Sequence, residues 1–318
     1  MLGLYIFIFI VSSLVLVRAG TWVIQALTTI AQFLRWREFI VASVLMTFAT
    51  SSPELFIGII SAFHQKPQLS FGNVIGANII VLTLVIGIGA ILTKGLRFEG
   101  KVLQRSPIYA SAIALLPFLL MLDGKVSRID GVILLLVLVF YFHYLLSQEE
   151  RFTKILSDSF KKNQVGFKLF LKDFGLFLGG ACLLLLSAEG IVFSVSNFAT
   201  ILNLPLVIIG IFLVAIGTTL PEMTFGIRSI AMGHKELILG NVMGAVVVNS
   251  TLVLGIVALI CPFEIPSFSP YFIGIIFTAA ACLFFTVFAR TGRKITKKEA
   301  LILLGIYITF VLAEILIK

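Results

Sequence analysis

Charge is what this chain has least of. Asp, Glu, Lys and Arg make up 12% of its 318 residues, against about a quarter in soluble globular domains. Cysteine and histidine occur three times each. Cys182, Cys261 and Cys282 sit in or at the ends of apolar runs with no paired spacing. That argues against a disulfide framework or a thiolate metal cage and leaves buried packing as their role. His64, His143 and His234 have no companion at a metal-ligand spacing and read as solvent or interface histidines. No nucleophile elbow, His-Glu-x-x-His zinc motif or phosphate-binding glycine loop is present, so the sequence does not read as an enzyme or as the holder of a resident cofactor.

Hydrocarbon fills the place of charge. Hydrophobic residues reach 59% and the mean hydropathy is +1.13. Apolar runs of bilayer-spanning length, about 17–25 residues, predict ten helices near 2–17, 38–63, 69–93, 107–122, 129–147, 173–194, 205–231, 237–261, 269–289 and 299–317. A transmembrane barrel would show short alternating segments instead. The first run has no basic stretch before it and no small-residue cleavage site after it, so it is kept as a helix and not a signal peptide. The expected class is an all-α membrane protein in contact with membrane lipid. The 30 phenylalanines read as packing and lipid contact.

The net charge of +9 is a topology signal. With the ten helices so placed, 20 of the 24 basic residues fall in loops on one side; Lys66, Lys125, Arg128 and Lys318 fall on the other. The positive-inside rule then puts both termini outside the cytoplasm, in a plasma or inner membrane. Basic charge spread in this way fits anionic lipid, and nucleic acid is not an expected partner. Nothing in the sequence requires an oligomer.

Against this background Thr50-Ser51-Ser52-Pro53-Glu54 returns as Thr218-Thr219-Leu220-Pro221-Glu222, 168 positions later. The offset holds without a gap over some forty residues: Gly58 maps onto Gly226, Ser61 onto Ser229, Gly72-Asn73 onto Gly240-Asn241 and Gly87 onto Gly255. A carboxylate inside a membrane span is costly, and one that occurs twice in matching register marks a functional place. Five helices per copy is an odd number, so the second copy enters the membrane from the opposite side. The expected organisation is an inverted pair: 1–147 as the first five-helix repeat, 148–172 as a cytoplasmic connection, and 173–318 as the second repeat. Phe152, Ile155, Leu156 and Phe160 give the connection an amphipathic helical spacing suited to the interface.

Pro53 and Pro221 fall inside their helices, where each leaves the carbonyl four residues earlier, Ala49 or Gly217, without its helical donor. Those carbonyls, the hydroxyls of Thr50, Ser51, Thr218 and Thr219, and the Glu54 and Glu222 carboxylates form an all-oxygen set near the bilayer midplane. Oxygen sets suit hard cations such as Ca²⁺ or Na⁺. The segments Gly72–Asn78 and Gly240–Val246 are expected to open helices three and eight, their glycines allowing close helix contact. Asn73, Asn78, Asn241 and Asn249 are each candidates either for a ligand or for a structural bridge. Glu189 and Glu314, near helix ends, are expected to reach the outer interface.

These motifs resemble the cation/Ca²⁺ exchanger superfamily, specifically its sodium/calcium exchanger-type membrane regions. That family carries a G-T-S-L-P-E motif and a G-N-x-x-G-S-N stretch in each of two inverted repeats. Here the first reads Ala49-Thr50-Ser51-Ser52-Pro53-Glu54 and Gly217-Thr218-Thr219-Leu220-Pro221-Glu222. The resemblance spans essentially the whole chain. It implies a central ion held by two motif glutamates and by an Asn or Asp on each of helices three and eight. Glu54, Glu222 and Asn249 match; the counterpart of Asn249 is Val81, and the family's small hydroxyl positions fall at Ala77 and Ala245. Asn78, one turn before Val81, is placed to offset part of that loss. The implied function is secondary antiport, with transported Ca²⁺ exchanged for Na⁺. H⁺-coupled exchange of a divalent cation or Na⁺ stays open, as does a non-transporting membrane scaffold, against which the retained glutamates and prolines speak.

Overall fold

The structure is a computed structural model in which residues 2–33, 45–98, 101–147, 167–231, 233 and 235–316 are described. Almost all of it is helix. In chain order the elements are α1 (Leu2–Phe33), α2 (Met46–Thr50), α3 (Ser52–Phe63), α4 (Pro67–Ile80), α5 (Ile86–Leu92), α6 (Lys101–Leu120), α7 (Arg128–Ser147) and α8 (Phe167–Leu202). They continue as α9 (Leu206–Ile209), α10 (Ala215–Thr218), α11 (Leu220–Ala231), α12 (Lys235–Val248), α13 (Leu254–Ile260), α14 (Ser269–Thr291) and α15 (Lys297–Leu316). Three π-helical turns, Val81–Val85, Gly210–Val214 and Asn249–Val253, join α4 to α5, α9 to α10 and α12 to α13.

Among the described residues, nine helical stretches are long and apolar enough to cross a membrane. The expected span over 38–63 is described from residue 45 onward, and there it is interrupted at Ser51. Its continuous part, α3, has 12 residues and so rises about 18 Å, short of the roughly 30 Å hydrocarbon core. The first helix is longer than expected and runs to Phe33. Arg18, which the sequence suggested for a loop, lies inside it with its guanidinium 5.7 Å from the Trp22 ring centroid, a cation–π contact that lets a charge remain within a helix. The helix expected over 173–194 extends over Phe167–Leu202, so 167–172 belong to a helix and not to the connection. Phe152, Ile155, Leu156 and Phe160 lie outside the described residues.

α1 and α8 run antiparallel against each other, with Gly190 facing Ser12 and Gly180 facing Val23. Their shared seam, Leu16, Ala19 and Val23 against Leu184, Ala188 and Ile191, is one of three buried clusters. The other two surround α4–α5 and α12–α13. Every element boundary from Ser52 to Leu92 recurs 168 positions later, from Leu220 to Ile260. The short strands follow the same reciprocity. β1 (Leu96–Arg97) pairs antiparallel with β4 (Lys294–Ile295), and β2 (Lys125–Val126) with β3 (Phe263–Glu264). Each strand of the first half therefore finds its partner in the second.

Candidate functional site

The site is set by two interrupted helices. Ser51 and Thr219 are the single residues at which the α2–α3 and α10–α11 runs lose helical form. The breaks are narrow. Ser51 N still donates to Thr47 O at 3.0 Å and Thr219 N to Ala215 O at 3.1 Å. Pro53 and Pro221 lie in the first turn of the second segment of each run, as its second residue, where a missing N–H costs least. The Ala49 carbonyl, expected to be open, accepts the Ser52 hydroxyl at 2.8 Å. Position 220 is Leu220, so Gly217 has no equivalent hydroxyl cap.

Each interrupted helix is tied to the other half by one reciprocal bond. Thr50 Oγ1 donates to Asn241 Oδ1 at 3.0 Å, and Thr218 Oγ1 donates to Asn73 Oδ1 at 3.1 Å. Asn73 and Asn241 thus use their carbonyl oxygens as bridges between halves. Their amide nitrogens are buried without partners. The neighbouring glycines explain how the backbones come so close. A methyl group at Gly72 would meet the Val207 carbonyl, one at Gly76 the Ile211 carbonyl, and one at Gly244 the Thr47 side chain. Both glycine segments lie well inside α4 and α12 and not at their starts as expected; Pro67 and Lys235 begin those helices.

Glu54 and Glu222 are fully buried, at 0% exposure each. None of their four carboxylate oxygens has a hydrogen-bond partner. The two groups interact electrostatically, and the Thr218 hydroxyl lies beside Glu54. Ser51 Oγ, Asn78 Oδ1 and both polar atoms of Asn249 are likewise buried and unpartnered. Thr219 differs from its counterpart Ser51 by bonding back to Ala215 O at 2.8 Å. An unpaired buried carboxylate costs several kcal/mol, so a site of this kind requires cations or protons. Six of the unpartnered atoms, the four carboxylate oxygens with Asn78 Oδ1 and Asn249 Oδ1, are acceptors, and no group of three or more His, Cys, Asp or Glu side chains gathers among the described residues. A cation here would be held by carboxylate, amide and hydroxyl oxygens together, a hard-ion donor set.

Ala77, Ala245 and Val81 are all fully buried, so the oxygens absent from these positions are not supplied by exposure to solvent. Asn78 donates through Nδ2 to Ser250 Oγ at 2.8 Å. Ser250 was not among the residues the motifs pointed to. The signal lay in comparing the copies: its counterpart at position 82 is Leu82. Gly20 of α1 was also missed. It sits between the two prolines, with the Pro53 and Pro221 rings each about 3.5 Å from where its Cβ would be.

The weaker candidates separate. Glu189 is not a lone interfacial acid: both its oxygens meet His64 Nε2, at 2.8 and 2.9 Å, which ties the end of α3 to α8. Glu314 is buried instead of reaching the interface, because Leu303, Phe310 and Glu314 share the inward stripe of α15. His143 is exposed, and His234 lies outside the described residues. All three cysteines are free. Cys282 is buried as expected, whereas Cys182 is exposed and Cys261 is half-buried.

Comparison with known proteins places the chain in a family. The family described as sodium/calcium exchanger protein matches residues 4–147 and 172–316. The inner membrane protein YrbG of Escherichia coli is 27% identical over 80% of this chain and 80% of its own length. The sodium/calcium exchanger MaX1 of Methanosarcina acetivorans is 24% identical over 93% of this chain and 94% of its own. The crystal structure of the H⁺/Ca²⁺ exchanger CAX superposes with a TM-score of 0.76 at 17% identity, covering 97% of this chain and 82% of that one. The chain belongs to the sodium/calcium exchanger protein family and is an integral membrane protein.

Proposed function

We propose that this protein is a secondary antiporter that carries Ca²⁺ on Glu54 and Glu222 and exchanges it for Na⁺. One observation carries the reading: two fully buried carboxylates at repeat-related helix breaks interact with each other while all four of their oxygens lack a hydrogen-bond partner. Two such charges match one divalent cation. Ser51 and Asn249 add neutral oxygens, and the remainder of the six to eight that Ca²⁺ takes come from other oxygens of the site, backbone carbonyls and water. Thr50, Thr218, Asn73 and Asn241 hold the two breaks in register across the halves.

The architecture that goes with this is ten spans in two inverted five-helix repeats, 1–147 and 173–318, with the ion site between them and both termini on the non-cytoplasmic side. The 168-position recurrence of elements and the reciprocal strand pairs support it. So does the excess of basic residues on one side, which remains after Arg18, Lys168 and Lys172 are placed within helices. Membership of the family, and similarity to the sodium/calcium exchanger MaX1, favour Na⁺ as the counter-ion.

A second reading, exchange of a divalent cation for H⁺, has its own observation. Na⁺ depends on neutral oxygens, and Ala77, Ala245 and Val81 bury methyl groups where the resemblance expects them. Two protons on Glu54 and Glu222 would keep the site charge unchanged through the cycle. Radiolabelled Ca²⁺ uptake into proteoliposomes with an imposed Na⁺ or H⁺ gradient tests both. Uptake driven by an outward Na⁺ gradient supports the first reading, uptake driven by an outward H⁺ gradient supports the second, and uptake under neither overturns antiport.

A further inference from the structure

The two copies differ at the point where their helices meet. In the first, the pair one turn apart on α4 and its π turn is Asn78 and Leu82; in the second, the equivalent pair is Val246 and Ser250. Each copy has kept one polar residue, at opposite members of the pair, and these two bond to each other across the repeats at 2.8 Å. Leu82 and Val246 are fully buried hydrocarbon. The two copies meet here through a single asymmetric bond.

That bond has a directional consequence. With Nδ2 committed to Ser250, the planar amide holds Oδ1 on its other side, where it is buried and has no partner. Leaving an amide carbonyl oxygen dry and unpaired costs about 1–3 kcal/mol. Asn78 lies three residues before Val81, and side chains at this spacing are about 5–6 Å apart on the same helix face. Val81 opens its π turn as Asn249 opens the equivalent one. Ser250, which orients Asn78, directly follows Asn249, whose amide is also unpartnered. The bond therefore joins an amide of the first copy whose oxygen alone is unpartnered to the π turn that carries the unpartnered amide of the second.

We infer that Asn78 Oδ1 coordinates the transported cation in place of the missing side chain at Val81, and that Ser250 is the positioning residue that aims it. The inference rests on the proposed function, since it adds one ligand to that same site. It makes the donor set lopsided: the first copy contributes its amide from one turn earlier than the second does. Because the added ligand is neutral, it alters affinity and size selectivity and leaves the charge balance to Glu54 and Glu222.

Titration calorimetry with Ca²⁺ alone on the purified full chain separates this role from simple helix bracing. Glu54→Gln is the control for the underlying site and is expected to abolish Ca²⁺ binding. Asn78→Leu is expected to weaken binding about tenfold or more, as loss of one ligand worth about one decade would. Ser250→Ala keeps the amide but frees its orientation, and is expected to weaken binding several-fold. The double variant Asn78→Leu/Val81→Asn is expected to return to within about threefold of the parent. A bracing role predicts lower thermal stability with an unchanged Ca²⁺ dissociation constant and no rescue by Val81→Asn, and that result overturns the inference. Ca²⁺ binding that survives in Glu54→Gln overturns the site itself. Should Asn78→Leu fail to fold, Asn78→Asp decides: it keeps the oxygen and adds charge, so binding tightens if the atom faces the ion and stays as it was if it does not.

Discussion

The reciprocal threonine–asparagine bonds make a claim about which residue of one half depends on which residue of the other. Thr218→Val keeps the side-chain volume and removes the hydroxyl, so no cavity forms and Asn73 Oδ1 loses its buried donor. An orphaned buried acceptor costs about 1–3 kcal/mol. Asn73→Leu should cost less, about 0.5–1.5 kcal/mol, because the freed Thr218 hydroxyl can turn to the Ala215 carbonyl already 3.3 Å away. Removing both partners leaves nothing unpaired, so the Thr218→Val/Asn73→Leu double variant should lie close to Asn73→Leu alone. The coupling energy then equals the cost of Thr218→Val, about 1–3 kcal/mol for this pair, and a similar value follows for Thr50 with Asn241. The mismatched combinations, Thr218 with Asn241 and Thr50 with Asn73, should add to within about 0.5 kcal/mol. Denaturant titration of the purified variants in detergent micelles measures all eight species. Coupling that is absent from the matched pairs, or equal in matched and mismatched ones, would refute the cross-repeat assignment.

Glu54→Gln and Glu222→Gln should each abolish Ca²⁺ flux in proteoliposomes while the protein keeps its elution volume and melting behaviour; near-normal flux in either sinks the site. Gly72→Ala and Gly76→Ala should destabilise by about 1–3 kcal/mol through overpacking against the Val207 and Ile211 carbonyls. Gly240→Ala, which meets nothing within 4 Å, should be neutral or slightly stabilising, so equal melting temperatures across the three variants would contradict the packing described. Cysteines placed at Lys298 and Lys125, both exposed, should label from opposite sides of intact cells, with Lys125 reachable from outside. The reverse pattern would invert the topology.

Much of the site could be read from sequence because duplication exposes it. Glu54 with Glu222, Pro53 with Pro221 and the glycine–asparagine pairs stand out by recurring at one offset. Recurrence identifies equivalent residues but not contacting ones. That Thr50 meets Asn241, and not the Asn73 of its own copy, follows from how the halves dock. Ser250 does not stand out for the opposite reason: it breaks the symmetry that marks the other residues. Proline chemistry correctly located the breaks, yet it could not show that Ser52 would cap Ala49, since that bond depends on a side-chain rotamer. The reach of α1 was misjudged because Arg18, Gly20 and Thr21 read as a loop. In the fold Gly20 lies against the two prolines, Arg18 covers Trp22 and Thr21 bonds Val17 O at 2.9 Å, so each is accommodated within a continuous helix.

The crossed strand pairs bear on how such a chain comes into being. Leu96–Arg97 cannot find Lys294–Ile295 until the ribosome has made most of the second half, nor can Thr50 find Asn241 until nearly half of it exists. At about 5–20 residues per second, the roughly 200 residues between the first strand and its partner take on the order of 10–40 s to emerge. Throughout that interval Glu54 has neither Glu222 nor the second-half helices that enclose it. The newborn first half is an incomplete object, and a cell that stalls translation midway would be left with a fragment exposing an unpaired acid to the bilayer, a ready mark for membrane quality control.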